Sequence, residues 1–147
     1  MRMSSYKLRC TLLLCLAGLA SGAWAAEVEV SDAWIRLLPA GVPAGGYFTM
    51  RNATNQPAVL VGASSSAFGN VMMHRTADEK GQSRMLLVDR VEVPARGMLV
   101  FAPGGYHLML MKPGPAVAVG DRVPVTLEFL DRHKITVQFE VRGPAGK

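Results

Sequence analysis

The 147 residues carry a formal net charge of +5, but Arg2, Lys7 and Arg9 sit in an N-terminal segment that reads as a leader. Without residues 1–25, 122 residues remain, with thirteen Lys and Arg against eleven Asp and Glu, a net charge of only +2. That is the size of one domain able to bury its own core, and with no basic run interleaved with aromatics it gives no case for nucleic acid.

The leader has the three parts of a secretory signal. Its start is positive. Cys10 to Ala20 is apolar and shorter than the roughly 20 residues of a spanning helix. Ala23-Trp24-Ala25 offers small residues where signal peptidase reads them. Cleavage is expected after Ala25, with Ala26 the alternative, so that 1–25 is a removed signal, 26–147 is a single β domain, and the mature chain has no membrane span. A lipid anchor would use Cys15, whose neighbours Leu13 and Leu14 are bulky where small residues are wanted. Both cysteines, Cys10 and Cys15, leave with the signal. The mature chain then has neither a disulfide nor a thiolate ligand, although its compartment permits disulfides.

Glu27 to Leu38 opens as a strand, with Val28, Val30 and either Ala33 or Trp34 on its apolar side. Two prolines and a glycine make 39–43 a loop. Gly45–Arg51 and Ala58–Ala63 read as strands around a polar turn at 52–57, and Ser64–Gly69 as a connection. Val71–Thr76 is a fourth strand, followed by a charged hairpin loop at Ala77–Ser83 and a return strand at Arg84–Val88. Val93–Gly97 is a turn, Met98–Phe101 a short strand, and Pro103-Gly104-Gly105 turns into the strand Tyr106–Met111. After a loop at 113–121, Arg122–Phe129 and Lys134–Val141 form a hairpin. Val123, Val125, Leu127 and Phe129, then Ile135, Val137, Phe139 and Val141, occupy every second position, which gives one buried and one wet face. Pro124 suggests an edge or an unpaired slot. Eight or nine short strands at this spacing, and no mature helix, predict an all-β antiparallel Greek-key sandwich or barrel.

Chemistry concentrates between His74 and Met111. His74, Met85, His107 and Met109 stand at spacings of ten, twenty-one and one intervening residues. Thioether sulfur suits copper(I) and serves zinc, magnesium or calcium poorly. Alternation places His107, Met109 and Met111 on one strand face, and the 77–83 hairpin would bring Met85 back beside His74. A neutral N₂S₂ set favours the reduced ion. The imidazoles must be neutral to bind, so affinity should weaken below about pH 6. The plainer reading is packing: methionine is usually core filler, and a lone strand histidine is usually a surface or hydrogen-bonded residue. Met50, Met72, Met73 and Met98 are assigned mainly to the core, with Met72 and Met73 undecided. Met111 is either a spare ligand or a wall of the site, with wall the preferred reading, and His133 is taken as surface.

A blue-copper electron carrier needs a cysteine thiolate, which the mature chain lacks. A hydrolytic metal site wants histidine or carboxylate ligands and a positioned base. Asp78 and Glu79 lie near His74, but in a charged loop where solvation is the simpler role. A metal-free interaction module on the same sandwich stays open.

The sequence resembles the periplasmic copper chaperones of the PCu(A)C type, defined by H-x10-M-x21-H-x-M. His74, Met85, His107 and Met109 match each position and both long gaps. V-S-D-A-W-I-R at Val30–Arg36, L-V-G-A-S-S at Leu60–Ser65, P-G-G-Y-H-L-M-L-M at Pro103–Met111 and G-D-R-V-P-V-T-L-E-F at Gly120–Phe129 extend the match over nearly the whole mature chain. The resemblance implies a cupredoxin-like β-barrel that binds one copper(I) through those four residues. It also implies a non-enzymatic role in the periplasm. Copper would be supplied to the dinuclear copper site of cytochrome c oxidase, sometimes with a Sco-type thiol protein, with copper tolerance or storage as the alternative. Some members add a copper(II) site on a His- and Met-rich tail. Arg142–Lys147 holds no such ligand, so one site is expected.

Overall fold

The structure, a computed structural model, describes residues 28–39 and 41–147. The expected signal and its cleavage site lie outside the described residues. Ten strands follow in order: β1 (Val28–Arg36), β2 (Ala44–Asn52), β3 (Ala58–Ser64), β4 (Phe68–Glu79), β5 (Gln82–Leu87), β6 (Val91–Val93), β7 (Met98–Phe101), β8 (Tyr106–Pro113), β9 (Arg122–Phe129) and β10 (Lys134–Arg142). No helix occurs among the described residues, as the alternating pattern predicts.

The strands make one sheet in the order β5-β4-β8-β2-β1-β10-β9-β3-β6, with β7 also on β2. Every pair is antiparallel except β1 with β10, where Trp34, Ile35 and Arg36 run parallel beside Glu140, Val141 and Arg142. A period of two marks which face is buried and carries no strand direction, so this pair was not legible in the sequence. The sheet rolls up. Asn52, at the end of β2, donates from Nδ2 to the Val93 carbonyl of β6 at 3.3 Å and to the Gln56 carbonyl at 2.7 Å. Its backbone N–H donates to Gly97 at 2.9 Å. These bonds tie together strands far apart in the sheet order, and they satisfy a buried amide that would otherwise destabilise the fold.

The rolled sheet encloses one core. Phe48 of β2 meets Phe101 of β7 at 4.5 Å and Phe139 of β10 at 5.6 Å between ring centroids. Leu60, Leu108, Leu110, Val125 and Leu127 are fully buried beside them, each contributing about 1.5–3 kcal/mol relative to exposure. The 122–142 hairpin has the expected alternation, with Val123, Val125, Leu127, Phe129, Phe139 and Val141 inward. Pro124 is not on an edge, because β9 lies between β10 and β3. It occupies the unpaired slot: the β3 ladder ends at Ser64 opposite Thr126, and Ser65 Oγ donates to the Pro124 carbonyl at 2.6 Å.

Three local differences have plain causes. Ala77–Ser83 is not an open loop; Ala77, Asp78 and Glu79 pair with Arg84, Ser83 and Gln82. The turn is only Lys80-Gly81, both at positive φ of 53° and 79°, the backbone that a tight two-residue hairpin needs. The charged side chains there extend an edge hairpin into solvent. Val91–Val93 is a strand whose two valines are buried, too short for periodicity to reveal. Met98 is 58% exposed and not core filler, because on β7 it shares the outer parity of Val100 while Phe101 points inward.

Candidate metal centre

His74 on β4 and His107 on β8 are direct cross-strand partners, and Met72 and Met109 are the next pair but one along the same ladder. Partners at one level share a face and alternate residues repeat it. Met72, His74, His107, Met109 and Met111 therefore share the outer face, while Met73, Leu108 and Leu110 share the inner, buried one. Parity continues into β5. Thr76 pairs with Met85 and His74 with Leu87, so Met85 lies on the outer face, one strand out and two pairs along from His74. The structure thus brings all four sequence-predicted residues to one face of three adjacent strands. They are unequal in burial: His74 and His107 are 9% and 6% exposed, Met109 is half-buried, and Met85 is 63% exposed.

The two rings lie 5.9 Å apart between centroids, tilted by 56°. The carbonyl of Gly105 fixes one of them. It accepts the backbone N–H of Thr76 at 3.1 Å and lies 3.1 Å from His107 Nδ1. With the proton on Nδ1, His107 Nε2 keeps its lone pair, and that nitrogen is buried without a partner. His74 Nδ1 is buried and unpartnered as well. An orphaned buried polar atom costs about 1–3 kcal/mol. Two of them on one face, one with its opposite nitrogen held by a backbone carbonyl, fit a metal held by imidazole. Burial, and secondarily the charge of His107, holds the His74 pKa below its ordinary value of 6.5. His74 thus stays in its neutral, lone-pair form at neutral pH.

The surroundings were not legible in the sequence. A cleft of about 250 Å³ runs beside His107, Met109 and Met85, walled by Thr76, Gly104, Tyr47 and Arg36. Arg36 arrives because β1 bulges between Ser31 and Trp34, with Asp32 at a φ of 52° that aspartate tolerates. After the bulge Ile35 points into the core, while Trp34 and Arg36 face out opposite Tyr47 and Gly45. Of the two apolar candidates in this strand, Ala33 packs on the core. Trp34 and Tyr47 rings meet at 4.7 Å, and the Arg36 guanidinium sits 5.3 Å from the Tyr47 ring. Gly45 permits this, since a Cβ there would come within 2.5 Å of Tyr47 Oη. Asp78 and Glu79 are exposed at the hairpin end, and His133 is exposed in the turn between β9 and β10. Among the described residues no three His, Cys, Asp or Glu side chains group as a metal-binding cluster. Met50 and Met73 are core residues, whereas Met72, Met109 and Met111 pack on none of it.

The chain matches the LpqE-like family over residues 28–141. It belongs to that family. It is 31% identical over 138 residues to "Putative lipoprotein Lxx21020" of Leifsonia xyli subsp. xyli, covering 93% of this chain and 82% of that one. Among solved structures it is similar to the CuI form of DR1885 from Deinococcus radiodurans, at 31% identity and a TM-score of 0.66, covering 86% of this chain and 85% of that one. It also overlays the copper-bound PCuAC domain from PmoF2, with a TM-score of 0.67 at 24% identity over 81% of this chain and 95% of that domain. This LpqE-like chain therefore has the cupredoxin-like fold of the PCuAC domains. Among the described residues no helix is long and apolar enough to cross a membrane.

Proposed function

We propose that this LpqE-like chain is an exported copper(I) carrier and not an enzyme. His74, Met85, His107 and Met109 would hold one copper(I) ion in a single domain spanning 26–147, after removal of the leader at 1–25 in the periplasm. The observation that carries this is the pair of unpartnered buried imidazole nitrogens on one face, beside thioethers and with no carboxylate cluster among the described residues. Neutral nitrogen and thioether donors suit the soft monovalent ion. The CuI form of the 31%-identical Deinococcus protein on the same fold supports the reading.

Carriage and release follow from the unequal burial. His74, His107 and Met109 sit on interior strands β4 and β8, where rotation is restricted by neighbours. Met85 sits on β5, an edge strand all of whose residues are exposed. An incoming ligand reaches the ion from the Met85 side, so Met85 exchanges first and the interior three hold the ion until the acceptor has bound it. The acceptor is the dinuclear copper site of cytochrome c oxidase, reached directly or with a Sco-type thiol protein.

Competition with a chromophoric copper(I) chelator under anaerobic, reducing conditions tests the reading. The chain starting at Ala26 contains every described strand and lacks the leader thiols. It should withdraw one equivalent from the chelator, and the His107→Ala/Met109→Ala variant should withdraw none. Equal withdrawal by both proteins would refute the assignment.

A further inference from the structure

The outer face carries more thioether than four ligands account for. Met72 is the direct cross-strand partner of Met109, and Met111 follows Met109 on the same side of β8. Cross-strand partners stand about 4.5–5.5 Å apart at Cβ, and next-but-one residues on a strand about 7 Å apart. Three flexible side chains at those spacings can bring their sulfurs to one point, since each has three rotatable bonds. Core filling does not explain them. All three are half-buried, and none packs on the core that takes up Met50 and Met73. The cleft beside His107 and Met109 includes Pro43 in its wall. Pro43 also walls a second cleft, lined by Val42, Met111 and Lys112. The two clefts therefore meet at Pro43, with Met109 in one and Met111 in the other.

We infer that Met72, Met109 and Met111 form a second, thioether-only position for a soft monovalent cation, copper(I) or silver(I). It lies one step along β8 from the imidazoles. This rests on the carrier reading for its first position. Met109 belongs to both positions, so the ion moves between them by exchanging imidazole for thioether without leaving the protein and without any change of oxidation state. Stoichiometry stays at one ion per chain. The three-sulfur position is the weaker, because it lacks the two preset imidazole nitrogens. It is also independent of pH across the histidine range, because thioethers do not titrate there.

Silver(I) titration followed through the methionine ε-methyl NMR signals tests this, using the chain from Ala26. In the His74→Ala/His107→Ala variant, the Met72, Met109 and Met111 methyls should shift together and saturate. Adding Met72→Leu and Met111→Leu should weaken that silver binding by about tenfold or more. Saturable binding that leaves the Met72 and Met111 methyls unmoved, or that the leucine changes do not weaken, would overturn the inference. The unsubstituted protein gives a second reading that does not depend on the alanine variant folding. Within the first equivalent, silver should move the Met72 and Met111 methyls in step with those of Met85 and Met109, and by less, because the single ion exchanges between the two positions. Shifts confined to Met85 and Met109 would count against the second position alone. No methionine shift at all would count against the carrier reading itself.

Discussion

The two faces of the β4–β8 ladder are built from interleaved residues of the same two strands, yet they obey different rules. Inward, Met73, Leu108 and Leu110 are sealed in the core. Outward, Met72, His74, His107 and Met109 carry lone pairs, and two buried nitrogens among them have no protein partner. The inner face is closed against the core. The outer face is left incomplete, and a bound ion would complete it. Methionine appears on both faces, so residue type does not tell core from site. Strand parity does.

The largest difference between the faces should appear in stability. Leu108→Ala removes a fully buried side chain and should cost about 2–5 kcal/mol in urea unfolding. Met109→Ala, its chain neighbour on the outer face, should cost under about 1 kcal/mol in the copper-free protein, since it empties no core volume. Equal losses would erase the distinction. The two adjacent methionines of β4 sharpen it. Met73→Ala should be destabilising by about 2–4 kcal/mol, while Met72→Ala should fall within about 0.5–1 kcal/mol of the parent. A reversal of that order would mean the ladder register is off by one residue.

A smaller effect should follow pH. His74 titrates below 6.5 in the folded chain, through burial and then the charge of His107, but at about 6.5 when unfolded. As pH falls below 6.5 the unfolded chain takes up the proton first. Copper-free stability is therefore full above that value and declines as pH drops through the lowered folded value. Urea midpoints at about pH 7.5 and about pH 5.5 should differ by less in His74→Ala than in the parent. An unchanged pH dependence in that variant would place the titrating group elsewhere. The same lowered value means that proton competition for His74 begins at a lower pH than for an ordinary imidazole, so copper binding should persist somewhat below pH 6.

Much of the outer face was legible from spacing. Alternation alone placed His107, Met109 and Met111 together, and the charged turn at Gly81 foretold that Met85 returns toward His74. The sequence could not show that Met85 pairs with Thr76 and not with His74, because that depends on a two-residue turn. Nor could it show Arg36 and Tyr47 beside the site. They arrive through a bulge at Asp32 and through the order β1-β2-β8, a long-range adjacency that no local pattern encodes. The parallel pairing of β1 with β10 was hidden for the same reason. Val91–Val93 escaped notice because three residues hold too little of any period.

The most direct test of the outer face as an ion site is the X-ray absorption spectrum of the copper(I)-loaded protein, beside that of Met85→Leu. Two nitrogen and two sulfur scatterers in the parent, falling to two nitrogens and one sulfur in the variant with the ion still bound, are what this arrangement predicts. A copper shell of oxygen and nitrogen alone, or one that Met85→Leu leaves unchanged, would contradict it.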